Sequence, residues 1–247
     1  MVLAFKDLDF RYGRKTQVFS GLGLRVDSGS TVLLGPNGAG KSTLMALAAS
    51  QLFPSQGSVS WRDLSPTGRR DRRRYRKAVA WIPQHITPIP GLNVREQVAY
   101  SGWLKGMSRS AAWEASGQAV SRVGLADLAQ RKSHQVSGGQ LRRMGIAGAL
   151  THRSELILMD EPTAGLDPQQ RAVFRSLIEE LCDSVQVIVS THQTEDLADL
   201  YRDVVVLDRG IIRFQGTTEE FHSLADSVVS PREQAEAAYT RLVSREA

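Results

Sequence analysis

Three groups of residues have the types and spacing for chemistry on a phosphate chain. The first is Gly35-Pro36-Asn37-Gly38-Ala39-Gly40-Lys41-Ser42-Thr43, between the apolar run Thr31-Val32-Leu33-Leu34 and the helix-like Leu44-Met45-Ala46-Leu47-Ala48. Glycines let successive backbone N–H groups turn inward around an anion, because no Cβ obstructs the required angles. A helix opening near Lys41 aims its partial positive end at the same anion. Lys41 adds a full charge for β- and γ-phosphates, and the Ser42 hydroxyl is placed to hold Mg²⁺. Gly, four residues, then Gly-Lys-Ser at a strand–helix junction is a phosphate-binding loop.

The second group is Asp160-Glu161, after the apolar run Leu156-Ile157-Leu158-Met159. An aspartate at the end of a buried strand suits a cation held opposite Ser42, and Glu161 is positioned to take a proton from an attacking water. His192 closes another apolar run, residues 185–189. In open α/β sheets the ligand crevice lies beyond the strand carboxyl ends, so strands ending at Gly35, Asp160 and His192 should converge on one phosphate site. The third group, Ser137-Gly138-Gly139-Gln140, precedes a helical pattern and would expose N–H groups at a helix start, a second anion site.

The elements that must position these groups follow from periodicity. Residues 3–10, 22–26, 31–34 and 58–61 read as short strands, separated by turns at Tyr12-Gly13, Ser28-Gly29 and Pro54-Ser55-Gln56-Gly57. The basic run Arg69-Arg70-Asp71-Arg72-Arg73-Arg74-Tyr75-Arg76-Lys77 reads as a solvated helix face, with nucleic-acid or lipid-headgroup binding as the alternative. A buried strand over 78–82 ends at Pro83-Gln84. The pattern then turns helical. Asn93-Val94-Arg95-Glu96 is a capping box, residues 108–123 form a second helix, and 125–129 a short third. Asp167 caps a helix with Pro168 at its first position and Phe174, Leu177, Ile178 and Leu181 as its apolar stripe. Residues 204–207 and 211–214 make a hairpin about Asp208-Arg209-Gly210, and Ser230-Pro231-Arg232-Glu233 opens a last helix.

Composition sets the outer limits. The chain of 247 residues has 41% hydrophobic and 23% charged residues, ordinary for a soluble globular protein. Its start lacks the basic-then-apolar layout of a secretory signal, and no apolar run reaches the roughly 20 residues that span a bilayer. Work at a membrane would need another polypeptide to do the spanning. The single cysteine, Cys182, rules out an internal disulfide, fits a reducing cytosol, and is expected to be a buried structural thiol. The net charge of +5 selects no class of partner by itself.

Taken together, residues 35–43, Gln84, 137–140, 156–161, Ala164-Gly165-Leu166-Asp167 and His192 resemble, in identity and order, the ATP-binding subunits of ABC transporters. The resemblance spans residues 2 to about 216. It implies an α/β fold: a P-loop NTPase core with a mainly parallel sheet, an N-terminal antiparallel β subdomain and an inserted α-helical subdomain. The implied division is an ATPase domain over 1–217 and a short helical extension over 218–247. Within the first, 1–84 and 154–217 form the core and 85–153 the helical unit. By the same resemblance ATP and Mg²⁺ are bound, and Tyr12 stacks on adenine rather than packing in a core. Residues Gly35 to Thr43 cradle the phosphates, with Lys41 also catalytic. Ser42, Gln84 and Asp160 hold the metal, and Gln84 also reaches the attacking water. Glu161 is the general base, and His192 contacts the γ-phosphate and orients Glu161. Asp167 lies at a subunit interface. Ser137, Gly138, Gly139 and Gln140 contact ATP held by a second subunit, so two copies form a head-to-tail dimer.

The departures are Val136 and Met159 where leucine is usual, both still apolar. Residues 81–107 and 142–147 look most like subunits paired with separate exporter-type permeases. This implies a cytoplasmic protein held at the inner face of the membrane through integral permease subunits, with no nucleic-acid partner expected. A single-cassette ATPase of iron–sulfur assembly is the alternative.

Overall fold

The computed structural model describes residues 2–13, 15–27, 29–194, 200–225 and 230–243. Two sheets organise the described chain. In the smaller one, β1 (Leu3–Tyr12) pairs antiparallel with β2 (Thr16–Val26) on one side and with β4 (Gln56–Trp61) on the other. The larger has six strands, in the order β5 (Val79–Ile82), β6 (Leu156–Asp160), β7 (Gln186–Thr191), β3 (Ser30–Leu34), β8 (Asp203–Asp208) and β9 (Ile211–Thr217). The first five run parallel, and β9 turns back antiparallel from β8. The strands expected to converge, β6, β7 and β3, are consecutive neighbours.

Strand periodicity explains the layering. Val32, Leu34, Ile157, Met159, Val187, Val189, Val204 and Val206 alternate with Leu33, Leu156, Leu158, Ile188, Val205 and Leu207, and the two sets enter different cores. On one face lie the small sheet and α1 (Lys41–Ala48). On the other pack α3 (Val94–Leu104), α4 (Arg109–Arg122), α5 (Gly138–Thr151) and α6 (Pro168–Cys182). A sheet covered on both faces needs apolar residues at every position, which is why β6 has no polar residue before Asp160. Burial of each such side chain contributes about 1.5–3 kcal/mol, so the strand ends are held firmly.

Local signals were accurate where a side chain caps a helix. Asn93 and Glu96 close the expected box at α3, Ser108 caps α4, and Asp167 caps α6 with Pro168 at its first turn. The residues between β5 and β6 form α3, α4 and α5, as the helical pattern predicts. The basic run forms α2 (Arg69–Ala78), with most of its cations exposed and Tyr75 buried, its hydroxyl donating to the Ala48 carbonyl.

Other expectations need correction. β2 begins at Thr16, well before residue 22. Its glycines and mixed residues 16–21 hide the strand pattern, while pairing of Phe19 with Phe10 and Thr16 with Tyr12 supplies the ladder. A short α7 (Thr218–His222), boxed by Thr217 and Glu220, was not anticipated. Cys182, at the end of α6, is partly rather than fully buried, and burial raises its thiol pKa, which keeps it unreactive. Ser28 of the expected Ser28-Gly29 turn lies outside the described residues. The expected last helix, α8 (Pro231–Val243), presents Ala235, Ala238, Tyr239 and Leu242 to the core.

Candidate active site

The loop from Gly35 to Gly40 bridges β3 and α1 and is fixed from below. Gly35 admits no side chain, because a Cβ there would sit 2.1 Å from the Leu207 carbonyl oxygen on β8. Gly40 takes φ +106°, a conformation that L side chains rarely adopt, and precedes the first helical residue, Lys41. The Gly210 amide donates to the Ala39 carbonyl at 3.0 Å, so the β8–β9 turn braces the loop. Pro36 is half-buried, Asn37 and Gly38 are exposed, and Ala39 is buried beneath them.

Lys41 is buried at 6% exposure. Its ammonium donates to the Gly35 carbonyl at 2.7 Å and to that of Pro36 at 3.2 Å, and lies 3.5 Å from Glu161 Oε1. Burial pushes its pKa down, and the Glu161 and Asp160 carboxylates pull it back up. Ser42 is exposed on the first turn of α1. Thr43, one residue on, has its hydroxyl 3.3 Å from that of Tyr12. Tyr12 stands edge-on to Phe10 at 5.0 Å and is half exposed, so part of its ring is open beside the phosphate loop.

The acidic pair sits where β6 stops. Asp160 is buried, and the Ser190 hydroxyl on the adjacent strand β7 donates to its Oδ1. That hydroxyl also accepts the Glu161 N–H at 3.1 Å. Glu161 is buried as well and has φ +46°, a left-handed conformation costing a non-glycine residue roughly 1–2 kcal/mol. Its side chain is held on both sides. Oε1 faces Lys41, and Oε2 accepts from His192 Nδ1 at 2.9 Å. Gln84 is exposed just past the end of β5, one strand from Asp160.

Thus Lys41, Asp160, Glu161 and His192 lie together at the carboxyl ends of β3, β6 and β7, with Ser42 and Tyr12 beside the Gly35–Thr43 loop and Gln84 past the end of β5. The Ser137–Gln140 element stays outside this group. Ser137 and Gln140 close a capping box on each other at the head of α5. The helix is tied to the loop after Glu161 by Arg142, which donates to the Ala164 carbonyl. A cavity of about 270 Å³, lined by Ser137, Gln140, Leu166, Gln170 and Phe174 among others, opens beside the box.

The donors fit Mg²⁺. One oxygen of Asp160 is engaged by Ser190, which leaves the second for a cation. Among the described residues no three His, Cys, Asp or Glu cluster as an all-protein cage. Mg²⁺ characteristically takes one or two carboxylates and completes its shell with substrate phosphates and water.

Sequence reasoning passed over Ser190. The available signal was a hydroxyl residue near the end of an otherwise apolar strand, two positions before His192. Its pairing directly opposite Asp160 emerges only from the sheet register.

A profile of the ABC transporter family matches residues 19–164, more than half of the chain. The chain belongs to the ABC transporter family. Over 246 residues it is 33% identical to the phosphonates import ATP-binding protein PhnC of Thiobacillus denitrificans, covering 95% of this chain and 94% of that protein. It is 34% identical to the daunorubicin/doxorubicin resistance ATP-binding protein DrrA of Streptomyces peucetius, over 94% of this chain and 71% of the relative. Among solved structures, cbiO1 of Clostridium perfringens, part of the ABC transporter complex cbiONQ, superposes with a TM-score of 0.79 at 25% identity, over 90% of each chain. The α/β architecture is therefore that of an ABC ATPase, and this member is an ATP-binding subunit of an ABC transporter with ATPase activity. No helix among the described residues is long and apolar enough to cross a membrane.

Proposed function

We propose that two copies of this chain, paired head to tail, hydrolyse ATP to drive export through a separate membrane permease. The observation that carries the reading is Glu161, a buried carboxylate held between Lys41 and His192 and next to Asp160. A carboxylate so fixed can take the proton of a water as its oxygen attacks the γ-phosphorus and the bond to the β-phosphate oxygen breaks. His192 holds one carboxylate oxygen by its Nδ1–H, which orients the base. Lys41 exchanges its contacts with Glu161 and the loop carbonyls for the β- and γ-phosphates, and this frees Glu161 to act on water. Mg²⁺ held by Ser42, Gln84 and Asp160 would supply positive charge against the phosphate oxygens. Tyr12 offers the open part of its ring to adenine. Ser137 to Gln140 would complete the γ-phosphate shell of the other copy, with Asp167 at the shared interface.

The proposed working units are the core (1–84 and 154–217), the helical unit (85–153) and the extension (218–247). Gln84, at the junction of the first two, would pass nucleotide state to the permease, placing the chain at the inner face of the cell membrane. The transporter names of the relatives support transport over iron–sulfur assembly. Export rests on the likeness of residues 81–107 and 142–147 to exporter subunits. One relative is named for import and another for drug resistance, at 33% and 34% identity, so their names do not set the direction.

The test is capture of the intact chain from cross-linked membranes. A multi-span permease without a solute-binding protein is expected. A solute-binding protein in the complex would reverse the direction, and soluble assembly proteins alone would overturn transport.

A further inference from the structure

The basic helix is not used by the ATPase chemistry, and its surroundings give it a role. Arg70, Arg73, Arg74 and Lys77 recur at i, i+3, i+4 and i+7, so they share one stripe on the face of α2 turned from buried Tyr75. All four are exposed. Of the four, only Arg74 has an acidic neighbour at ion-pair range among the described residues, the exposed Asp71 at 4.0 Å, and that pair is weak. Two further basic residues of the run are engaged within the fold. Arg76 donates to Ser50, and Arg72 donates to the Pro66 carbonyl.

Exposed apolar groups lie beside this helix. The Arg72 guanidinium lies 4.5 Å over the ring of Phe53, which is 45% exposed. Arg73 lies against Gly106, where an added Cβ would come within 2.7 Å of its Nη2. The Lys105 ammonium, beside Gly106, donates to the Arg76 carbonyl. These contacts set the end of α3 next to the stripe, with Trp103 at 45% and Leu104 at 61% exposure. Tyr100 stacks on Trp103 at 5.5 Å and extends the aromatic side.

We infer that α2, Phe53 and the end of α3 form a docking surface for an anionic lipid bilayer, a membrane contact separate from the permease. Cations that meet phosphate headgroups beside tryptophan, phenylalanine and leucine at headgroup depth are what an interfacial surface requires. Charge complementarity selects lipid phosphate as the occupant. A single-stranded nucleic acid would want ring faces interleaved along the cationic track, whereas here the exposed aromatics lie on other elements and the one on α2, Tyr75, is buried. The surface also adjoins the permease side of the proposed complex. Leu104 and Lys105 line a cavity of about 370 Å³ that continues to Pro83 and His85, on either side of Gln84. This inference rests on the reading that Gln84 faces a permease only for its orientation in the cell.

The test uses the full chain alone, with neither permease nor ATP, so its outcome is independent of the permease capture above. Cosedimentation with phosphatidylglycerol-containing vesicles should exceed that with pure phosphatidylcholine vesicles by at least tenfold and weaken as salt rises. Each basic residue at an anionic surface contributes about fivefold to partition. The combined R70Q/R73Q/R74Q/K77Q variant should therefore lose at least tenfold while its ATP affinity stays unchanged, which checks folding. Trp103 emission should shift to the blue on vesicle addition, and Trp103→Phe should remove that shift. Equal binding to both vesicle types, or an unaffected charge variant, overturns the inference. So does duplex DNA or an acidic permease peptide binding as tightly as vesicles with no requirement for Trp103.

Discussion

Two helix N-termini in this protein are suited to a phosphate, and they are built differently. At α1 the cap is Gly40 in a left-handed conformation, and no side chain caps the helix. The amides of the first turn are left to an external anion, and the lysine beside them is turned onto loop carbonyls and Glu161. At α5 the Ser137–Gln140 box satisfies one amide at each side of the cap, so the terminus is complete without a ligand. The first leaves its opening to a ligand; the second is closed by its own side chains, with Ser137 and Gly138 exposed and Gly139 buried. This asymmetry matches a division in which one copy holds the nucleotide and the other closes over it.

That contrast can be broken at several points. The largest effect should come from Glu161→Gln. Loss of a positioned general base lowers turnover by about 10²–10⁴, while ATP affinity stays near the parent value; rapid phosphate release by the variant would remove Glu161 from the base role. Next, Lys41→Ala should weaken ATP binding about a hundredfold, since charge-assisted bonds to phosphate in a buried site are among the strong ones, and titration calorimetry with an unchanged affinity would contradict it. Ser137→Arg should leave nucleotide affinity of the monomer within about threefold but abolish ATP-driven dimers. Light scattering that still shows a dimer would return the α5 terminus to a purely structural role.

The smallest effect tests the far end of α5. His152 caps that helix and donates Nδ1–H to the Lys77 carbonyl at 3.1 Å. Burial, helped by the Lys105 charge, lowers its pKa from 6.5 to about 4. The unfolded chain takes up this proton first, so stability present above pH 6.5 should be lost as pH falls toward 4, by a few kcal/mol at most. Urea midpoints should show that slope, and His152→Gln should flatten it. An identical slope in the variant would assign the acid sensitivity elsewhere.

Much of this was legible from residue order because the site is made of strand ends. An apolar run marks a doubly covered strand, and the polar residue that ends it must lie at the sheet's rim, where Asp160 and His192 are. Capping side chains declared α3 and α6 equally well. What escaped was cross-strand information. Ser190 gains meaning only opposite Asp160, β2 is stabilised by its partner more than by its own composition, and Tyr75 looked like part of a charged surface until α1 was packed beside it. A sequence reads along one chain direction, and these features are set across it.

The left-handed residue at Glu161 has a further consequence, best expressed as parity. Along β6 the even positions 156, 158 and 160 point toward α1 and the odd ones, 157 and 159, toward the helical layer. Had the strand continued, Glu161 would have inherited the odd side and faced away from Lys41. The turn at φ +46° resets the count, so two carboxylates adjacent in sequence serve the same side of the sheet. Inserting or deleting one residue in 156–160 would exchange odd for even and send Asp160 into the opposite layer. The length of this strand is therefore as much a part of the proposed catalytic apparatus as the two acids at its end.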